Sequence, residues 1–385
     1  MSAGLLTTEQ RATPCAEVLG EWDRLVAGTP GTDVTQLSAW ARVRAAEGFA
    51  HTYVLARRGG RLVGGAQVLL RRVPVLRLIG YVPYGPVVAP SASDRSAVVD
   101  DLARALADLD GVRMLFVQPP EGADDVHAAL LRRGFRPSTA GIAPPGSVRL
   151  DLDRCEEELR RGLPPRLRSL IRRAAERGVR IRRGDEDDVP VLAALMRVSG
   201  DACGYRPPDE DHLRRLYGEL ARTGNAALFI GEVRGVPVTA DLVTMCGSMV
   251  RGRLGGFDRS GDGARLGVPG VARWEIGRWA HREGYRWLDF GGLAEQTLHD
   301  AVDEGIRSSP AWSGVDQAKM RFGGEAFRYP GAVELIRPAA LRQLYDAVSA
   351  RDCGQALLHR AKVRMRAGTR RPAVRLPRRP GGVPA

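Results

Sequence analysis

The chain runs twice through one order of elements, and this internal repeat constrains its fold more than any other feature. In the first pass Thr52-Tyr-Val-Leu-Ala, the turn Arg57-Arg-Gly-Gly and Leu62–Leu70 predict a hairpin. Leu76–Val82 then predicts a strand, Ser93–Leu109 a helix and Arg113–Gln118 a strand. In the second pass Ala227–Val233, the turn Arg234-Gly235 and Val236–Met245 predict the hairpin. Met249–Phe257, Pro269–Glu283 and Tyr285–Phe290 follow as strand, helix and strand. Apolar residues alternate with polar ones between turn glycines, as half-buried strands require. The closing strands share a pattern, Gly111-Val-Arg-Met-Leu-Phe against Gly284-Tyr-Arg-Trp-Leu-Asp-Phe. A duplicated meander with a helical return to one more strand predicts two similar α/β (α+β) domains, each a mixed central sheet flanked by helices. A length of 385 residues also exceeds what one hydrophobic core usually serves.

The remaining segments fill in around this repeat. The first thirty residues are polar with one short helix, Ala16–Leu25, and a second helix runs Leu37–Glu47 to a stop at Gly48. Asp124–Arg133 is a helix closed by Gly134. The second half opens at Asp151-Leu-Asp, and Pro164-Pro165 begin a helix carrying Leu167, Leu170, Ile171 and Ala174 at helical spacing, with Gly178 as its stop. Val179 and Ile181 alternate as in a strand, and Asp187–Val198 and Glu210–Arg222 read as helices. The domains are expected at 1–149, completed by 332–360, and at 150–331. Arginines among Pro and Gly mark 361–385 as a basic, disordered tail.

Formal charge is +13, and it is clustered. Arg160, Arg161, Arg166, Arg168, Arg172, Arg173, Arg177, Arg180, Arg182 and Arg183 lie on or beside the Pro164 helix, with Glu176 as the acidic compensation. With its leucines inward, that helix presents a cationic face suited to phosphate. Of 58 lysines and arginines only Lys319 and Lys362 are lysines. A compact, tunable cation at 319, where the chain otherwise writes Arg, asks for a reason. Five cysteines without a CxxC pair and no leader at the start suit a reducing cytoplasm. Six histidines show no metal-ligand spacing, no Gly-x-Ser-x-Gly elbow occurs, and no window is long and apolar enough to span a membrane.

The duplicated meander resembles the GNAT acyltransferase fold, but its phosphate loop is broken. In Arg259-Ser-Gly-Asp-Gly-Ala-Arg-Leu-Gly-Val, Asp262 stands where Arg259 would require Gly, and Val268 breaks the pattern begun at Arg265. In the first half Arg77 and Gly80 fit, and Val82 does not. Neither half carries a coenzyme A signature. Gln36-Leu-Ser-Ala-Trp40-Ala-Arg-Val-Arg44 is similar to the Gln-x-x-x-Trp-x-x-Val-Lys opening of the Fem aminoacyltransferases, and Tyr81-Val-Pro-Tyr84-Gly-Pro to their Tyr-x-Pro-x-Gly-Pro loop. Arg168-Ser-Leu-Ile-Arg-Arg, Leu288-Asp-Phe-Gly-Gly-Leu and Ala318-Lys319-Met-Arg-Phe-Gly-Gly resemble their basic helix and closing motifs. The resemblance spans residues 36–331 and is nearest the short FemX-like branch, which lacks the coiled-coil arm of larger members.

That resemblance implies two tandem GNAT-like domains and a reaction in which an amino acid passes from aminoacyl-tRNA to an amine. The acceptor is a peptidoglycan precursor peptide or a small natural-product amine. No cofactor is implied beyond the aminoacyl-tRNA co-substrate, and the site is read as cytoplasmic and monomeric, with peripheral membrane contact open. Lys319 and the backbone N–H of Ala318 are the expected oxyanion donors, and Asp289 a candidate for orienting the amine or acting as base. Arg44, Tyr84, Tyr205, His212, Phe257 and Asp258 are the expected substrate contacts. Arg166, Arg168, Arg172, Arg173 and Arg321 are those expected to meet tRNA phosphates. The sequence departs from the family where Arg44 replaces Lys, Ala318 replaces an aromatic residue, and Pro208 and His212 replace an Arg and a Tyr that read the muropeptide. Two other readings stay open from the residues: an acyl-CoA-dependent N-acyltransferase and a non-catalytic nucleic-acid-binding relative.

Overall fold

A computed structural model describes residues 4–74, 76–92 and 94–351. The basic segment from 352 on, with Cys353 and Lys362, lies outside the described residues. The described residues divide into two compact units: those up to Thr29, Thr35–Ile142 and those from Gly331 form the first, Pro30–Val34 and Ala143–Pro330 the second.

In chain order the first unit supplies β1 (Leu6–Arg11), α1 (Ala16–Ala27), α2 (Ser38–Ala45), β2 (Ala50–Arg58), β3 (Arg61–Val73), β4 (Arg77–Val82), β5 (Val87–Val88), α3 (Arg95–Ala107), β6 (Val112–Val117), α4 (Asp124–Arg132) and β7 (Arg136–Pro137). The second supplies β8 (Gly146–Asp151), α5 (Glu156–Gly162), α6 (Pro165–Arg172), β9 (Val179–Gly184), α7 (Val189–Cys203), α8 (Glu210–Ala221), β10 (Ala226–Val233), β11 (Val236–Cys246) and β12 (Met249–Phe257). It continues with α9 (Asp262–Arg265), α10 (Val268–Arg282), β13 (Trp287–Gly292), α11 (Glu295–Leu298), α12 (Gly314–Met320) and β14 (Glu325–Arg328). Strand β15 (Val333–Ile336) and helix α13 (Ala339–Ser349) return to the first unit.

The two sheets repeat one plan. In the first, β1-β2-β3-β4 is an antiparallel meander and β6 joins β4 in parallel after α3. In the second, β9-β10-β11-β12 is the meander and β13 joins β12 in parallel after α10. Parallel neighbours need a crossover, and each helix supplies it. The predicted elements appear within a residue or two at most ends. The helix expected to run to Gly178 ends at Arg172, with a separate 3-10 turn before that glycine, and α7 runs on to Cys203 instead of Val198. Two further features differ. Leu6–Arg11 is an edge strand on β2, although its sequence is too polar to announce one. The boundary falls at 142/143 instead of 149/150, because β8 pairs with β13 and β14 of the second sheet.

Burial and polar pairing fix the first unit's entry motif. Trp22 is fully buried and its indole N–H donates to Gln36 O at 2.6 Å. The Gln36 amide donates to Pro83 O at 2.7 Å and accepts from Gln67 N at 2.8 Å, and Gln67 accepts from Tyr53 Oη. A buried amide left unpaired would cost a few kcal/mol, and Gln36 avoids that cost through main-chain partners. In the second unit β12 lies directly on α7. A Cβ at Gly256 would stand 2.3 Å from the main chain of Leu195 and Met196. Gly256→Ala must push that helix away, and we expect a loss of about 1–3 kcal/mol in urea unfolding. Wild-type stability in this variant would show that the contact gives way freely.

Candidate functional site

The parallel ladder of β12 and β13 is short. Met249–Arg251 pairs with Trp287–Asp289, and beyond that point the two strands part. Arg251 and Asp289 sit at the parting, 8% and 0% exposed. Arg251 Nε donates to Asp289 Oδ2 at 2.8 Å, Nη1 to Asp33 Oδ2 at 2.6 Å and Nη2 to Tyr329 Oη at 2.7 Å. Asp33 also accepts from Arg253 Nη2 at 2.8 Å. Asp289 Oδ1 accepts from the Ser147 hydroxyl and from Gly291 N at 2.7 Å. Buried charges stay only when their donors and acceptors are matched, and each nitrogen of the Arg251 guanidinium has an acceptor. The network joins β8, β12, β13, the segment around Asp33 and the residue after β14.

Asp289 is therefore a positioning residue. Expected as a base or amine contact, it is instead fully buried, with both oxygens already accepting from Arg251, Ser147 and Gly291, so the geometry gives it a holding role. What it holds is the turn at Gly291, where φ is +94°, a conformation open to glycine at little cost. At Gly292 a Cβ would stand 2.4 Å from Pro144, so this position also excludes a side chain.

Onto that bare backbone comes Lys319. Helix α12 is capped by Ser313, whose hydroxyl accepts from Asp316 N at 3.1 Å. The buried Asp316 carboxylate accepts from Thr297 Oγ1 at 3.0 Å and Ala294 N at 3.3 Å, which ties α12 to the loop after β13. Three residues on, on the same helical face, Lys319 Nζ donates to Gly292 O. Its ammonium lies 4.0 Å from where a Gly291 Cβ would be. Burial holds the Lys319 ammonium below the ordinary lysine value; Asp316 raises it, Arg273 lowers it further and Asp289 raises it. The second expected donor is corrected: Ala318 is the fifth residue of α12, so its N–H belongs to the helical i→i−4 ladder.

The other expected residues separate into groups. Ser199 Oγ accepts from Phe257 N at 2.7 Å and donates to Phe257 O at 3.0 Å, and the Tyr205 phenol engages the same hydroxyl. Tyr205, Phe257 and Asp258 thus gather at the end of β12, where Asp258 accepts from Ser260 N at 2.8 Å. His212 lies in the first turn of α8, its amide capped by Asp209. Arg44 and Tyr84 belong to the first unit. Arg44 is ion-paired to Glu47 and stacked 4.3 Å from the Phe49 ring, and Tyr84 is 7% exposed. On α6, Leu167, Leu170 and Ile171 pack inward while Arg166, Arg172 and Arg173 are exposed. Among the described residues these three arginines and Arg168 pair with no carboxylate. Arg168 donates to Arg161 O at 2.7 Å, and exposed Arg321 reaches Gln317 Oε1 at 3.5 Å.

Sequence reasoning gave no role to Asp33, Arg251, Tyr329 or Asp316, which hold the parting strands and α12 in place. Arg251 and Arg253 on an otherwise apolar central strand were the available signal.

Residues 158–299 match the acetyltransferase (GNAT) domain family. The lipid II:glycine glycyltransferase of Staphylococcus aureus (strain MRSA252) is 27% identical over 221 residues, which is 54% of this chain and 52% of that protein. The chain thus spans about half the length of the curated relatives it matches. Among solved structures, FemX superposes with a TM-score of 0.74 at 19% identity, covering 87% of this chain and 99% of that one. A tandem GNAT protein from the clavulanic acid biosynthesis pathway gives 0.51 at 16% identity, covering 87% and 99%. L-PGS from Bacillus licheniformis gives 0.53 at 12% identity, covering 92% and 99%.

Replacing Arg251 by Met would leave Asp33 and Asp289 buried without their shared cation. We expect a loss of about 3–5 kcal/mol in chemical unfolding. A change under about 1 kcal/mol would mean the network contributes little to holding β12 against β13.

Proposed function

We propose that this chain, a Fem-type homologue built of two GNAT-like units, is an N-aminoacyltransferase. It moves an amino acid from the ester of aminoacyl-tRNA to the amine of a peptidoglycan precursor or a small metabolite. The observation that carries the reading is Lys319: a half-buried ammonium, anchored through Gly292 O, at the point where β12 and β13 part. Amine attack on the ester carbonyl makes a tetrahedral oxyanion, and a preorganised donor there supplies much of the catalysis. Lysine has three N–H donors, so one can stay on Gly292 O while another meets the oxyanion. Collapse of the tetrahedral centre breaks the C–O bond to the ribose, whose oxygen takes up the proton lost by the amine. Asp316 sets the helix that carries Lys319, and Asp289 sets the glycine turn beneath it.

The unpaired arginines of α6 fit the donor's RNA, since exposed cations without carboxylate partners release counterions when they meet phosphates. The same helix argues against an acyl-CoA donor. Leu170 Cδ1 lies 2.7 Å from where a Cβ would stand on Gly267, and Leu167 Cδ1 3.0 Å from that of Gly270. Apolar side chains thus cover the N-terminus of α10, the place where a phosphate loop would offer its amides. No helix among the described residues is long and apolar enough to cross a membrane.

The test is transfer of labelled amino acid from charged tRNA to candidate amines, beside an arm with acetyl-CoA. Lys319→Met and Lys319→Arg should each lose at least about 100-fold in rate, because neither places a compact donor on the oxyanion. Full activity of the arginine variant would remove the argument from the cation's shape, and transfer from acetyl-CoA alone would overturn the donor. Replacing Arg166, Arg172 and Arg173 together by Ser should weaken tRNA binding and flatten its salt dependence by about three phosphate contacts. An unchanged salt slope would take α6 out of the RNA contact.

A further inference from the structure

One face of the second sheet is covered at one end of its central strand and bare farther along it. Val243, Met245 and Val250 on this face pack against Trp274 and Ile276 of α10. Register places Gly252 opposite Val243 and Gly255 opposite Asp241 on the same face. Both glycines are exposed, although β12 is the central strand of its sheet. A Cβ on Gly252 would meet nothing closer than main-chain atoms at 3.7 Å. A central strand without side chains and open to solvent is the floor of a slot.

Charged side chains border that floor. Asp241 stands on β11, and a Cβ on Gly255 would lie 2.9 Å from its Oδ1, so glycine is required for the carboxylate to lie there. Arg273 stands one helical turn before Gly277, which packs on Leu288 of β13, so it faces the parting strands. Lys319 closes the β13 side. Asp241 receives one long hydrogen bond, from Thr239 Oγ1 at 3.5 Å. Burial pushes its carboxyl up, partly opposed by the charge of Arg273. Among the described residues neither Asp241 nor Arg273 has an ion-pair partner within bonding distance. A half-buried carboxylate without a cation is a cost that a ligand's cation can offset.

We propose that this slot receives the aminoacyl end of the donor, with Asp241 pairing an ammonium group of the amino acid being transferred. Arg273 and Lys319 lie on its carbonyl side. The inference rests on the aminoacyl-donor reading and sharpens it: the site selects acyl groups that carry a cation, and an acetyl group gives Asp241 nothing to pair with. The α-ammonium and the side-chain ammonium of a basic amino acid offer the same chemistry, and binding separates them.

The probes are acceptor-stem RNA hairpins ending in 3′-amino-3′-deoxyadenosine, amide-linked to alanyl, N-acetylalanyl or Nα-acetyllysyl groups, titrated into the full chain. Wild type should bind the alanyl form about tenfold or more tighter than N-acetylalanyl if the α-ammonium is read. It should prefer the Nα-acetyllysyl form if the side chain is read. Asp241→Asn should bind all three alike while unfolding at no lower temperature than wild type, since a carboxylate without a cation has been removed. Absence of any preference in wild type, or its persistence in Asp241→Asn, overturns the inference alone. Wild type that binds none of the three overturns it together with the aminoacyl-tRNA reading.

Discussion

The second unit depends on one buried guanidinium. Arg251 bonds to Asp289, Asp33 and Tyr329 at the last rung of the parallel ladder, where β12 and β13 separate. Two strands that part in the middle of a sheet leave main-chain groups and side chains that need other partners. The ionic network around Arg251 supplies them and fixes where the parting begins. The glycine turn at 291 and 292 then follows from the Asp289 carboxylate, and the seat of Lys319 follows from that turn. Lys319 is placed by polar satisfaction more than by apolar packing.

Glycine does corresponding work on the other side. Gly256 lets α7 approach β12, while Gly252 and Gly255 leave the opposite face uncovered. One strand is thus closed on one face and open on the other through side chains it does not have. Helix α6 also serves two ends, with leucines over the start of α10 and arginines outward.

Much of the fold could be read from the sequence because its signals are local. Alternation of apolar residues and Gly-bearing turns mark both hairpins, and Gly178 and Gly134 mark helix ends. Strand Leu6–Arg11 carried no such signal, since an edge strand can be half polar. Within the candidate site Lys319 stood out by composition, as an exception among arginines. Its supports did not, because Arg251 and Asp33 are 218 residues apart and meet only through the fold. Asp289 was found, and its role was not, since a carboxylate's neighbours decide whether it does chemistry or holds a turn. Ala318 shows the reverse error: whether an amide is free depends on the secondary structure around it, and here a helix uses it.

The central claim is that Lys319 meets the oxyanion of aminoacyl transfer. It is tested most directly by an acceptor-stem hairpin whose scissile carbonyl is replaced by a tetrahedral phosphonate. A site built for the tetrahedral state should bind it at least about 100-fold tighter than the planar amide, and Lys319→Met should erase that difference. Equal affinity for the two mimics in the wild type, or a preference that survives loss of the lysine, would contradict the account.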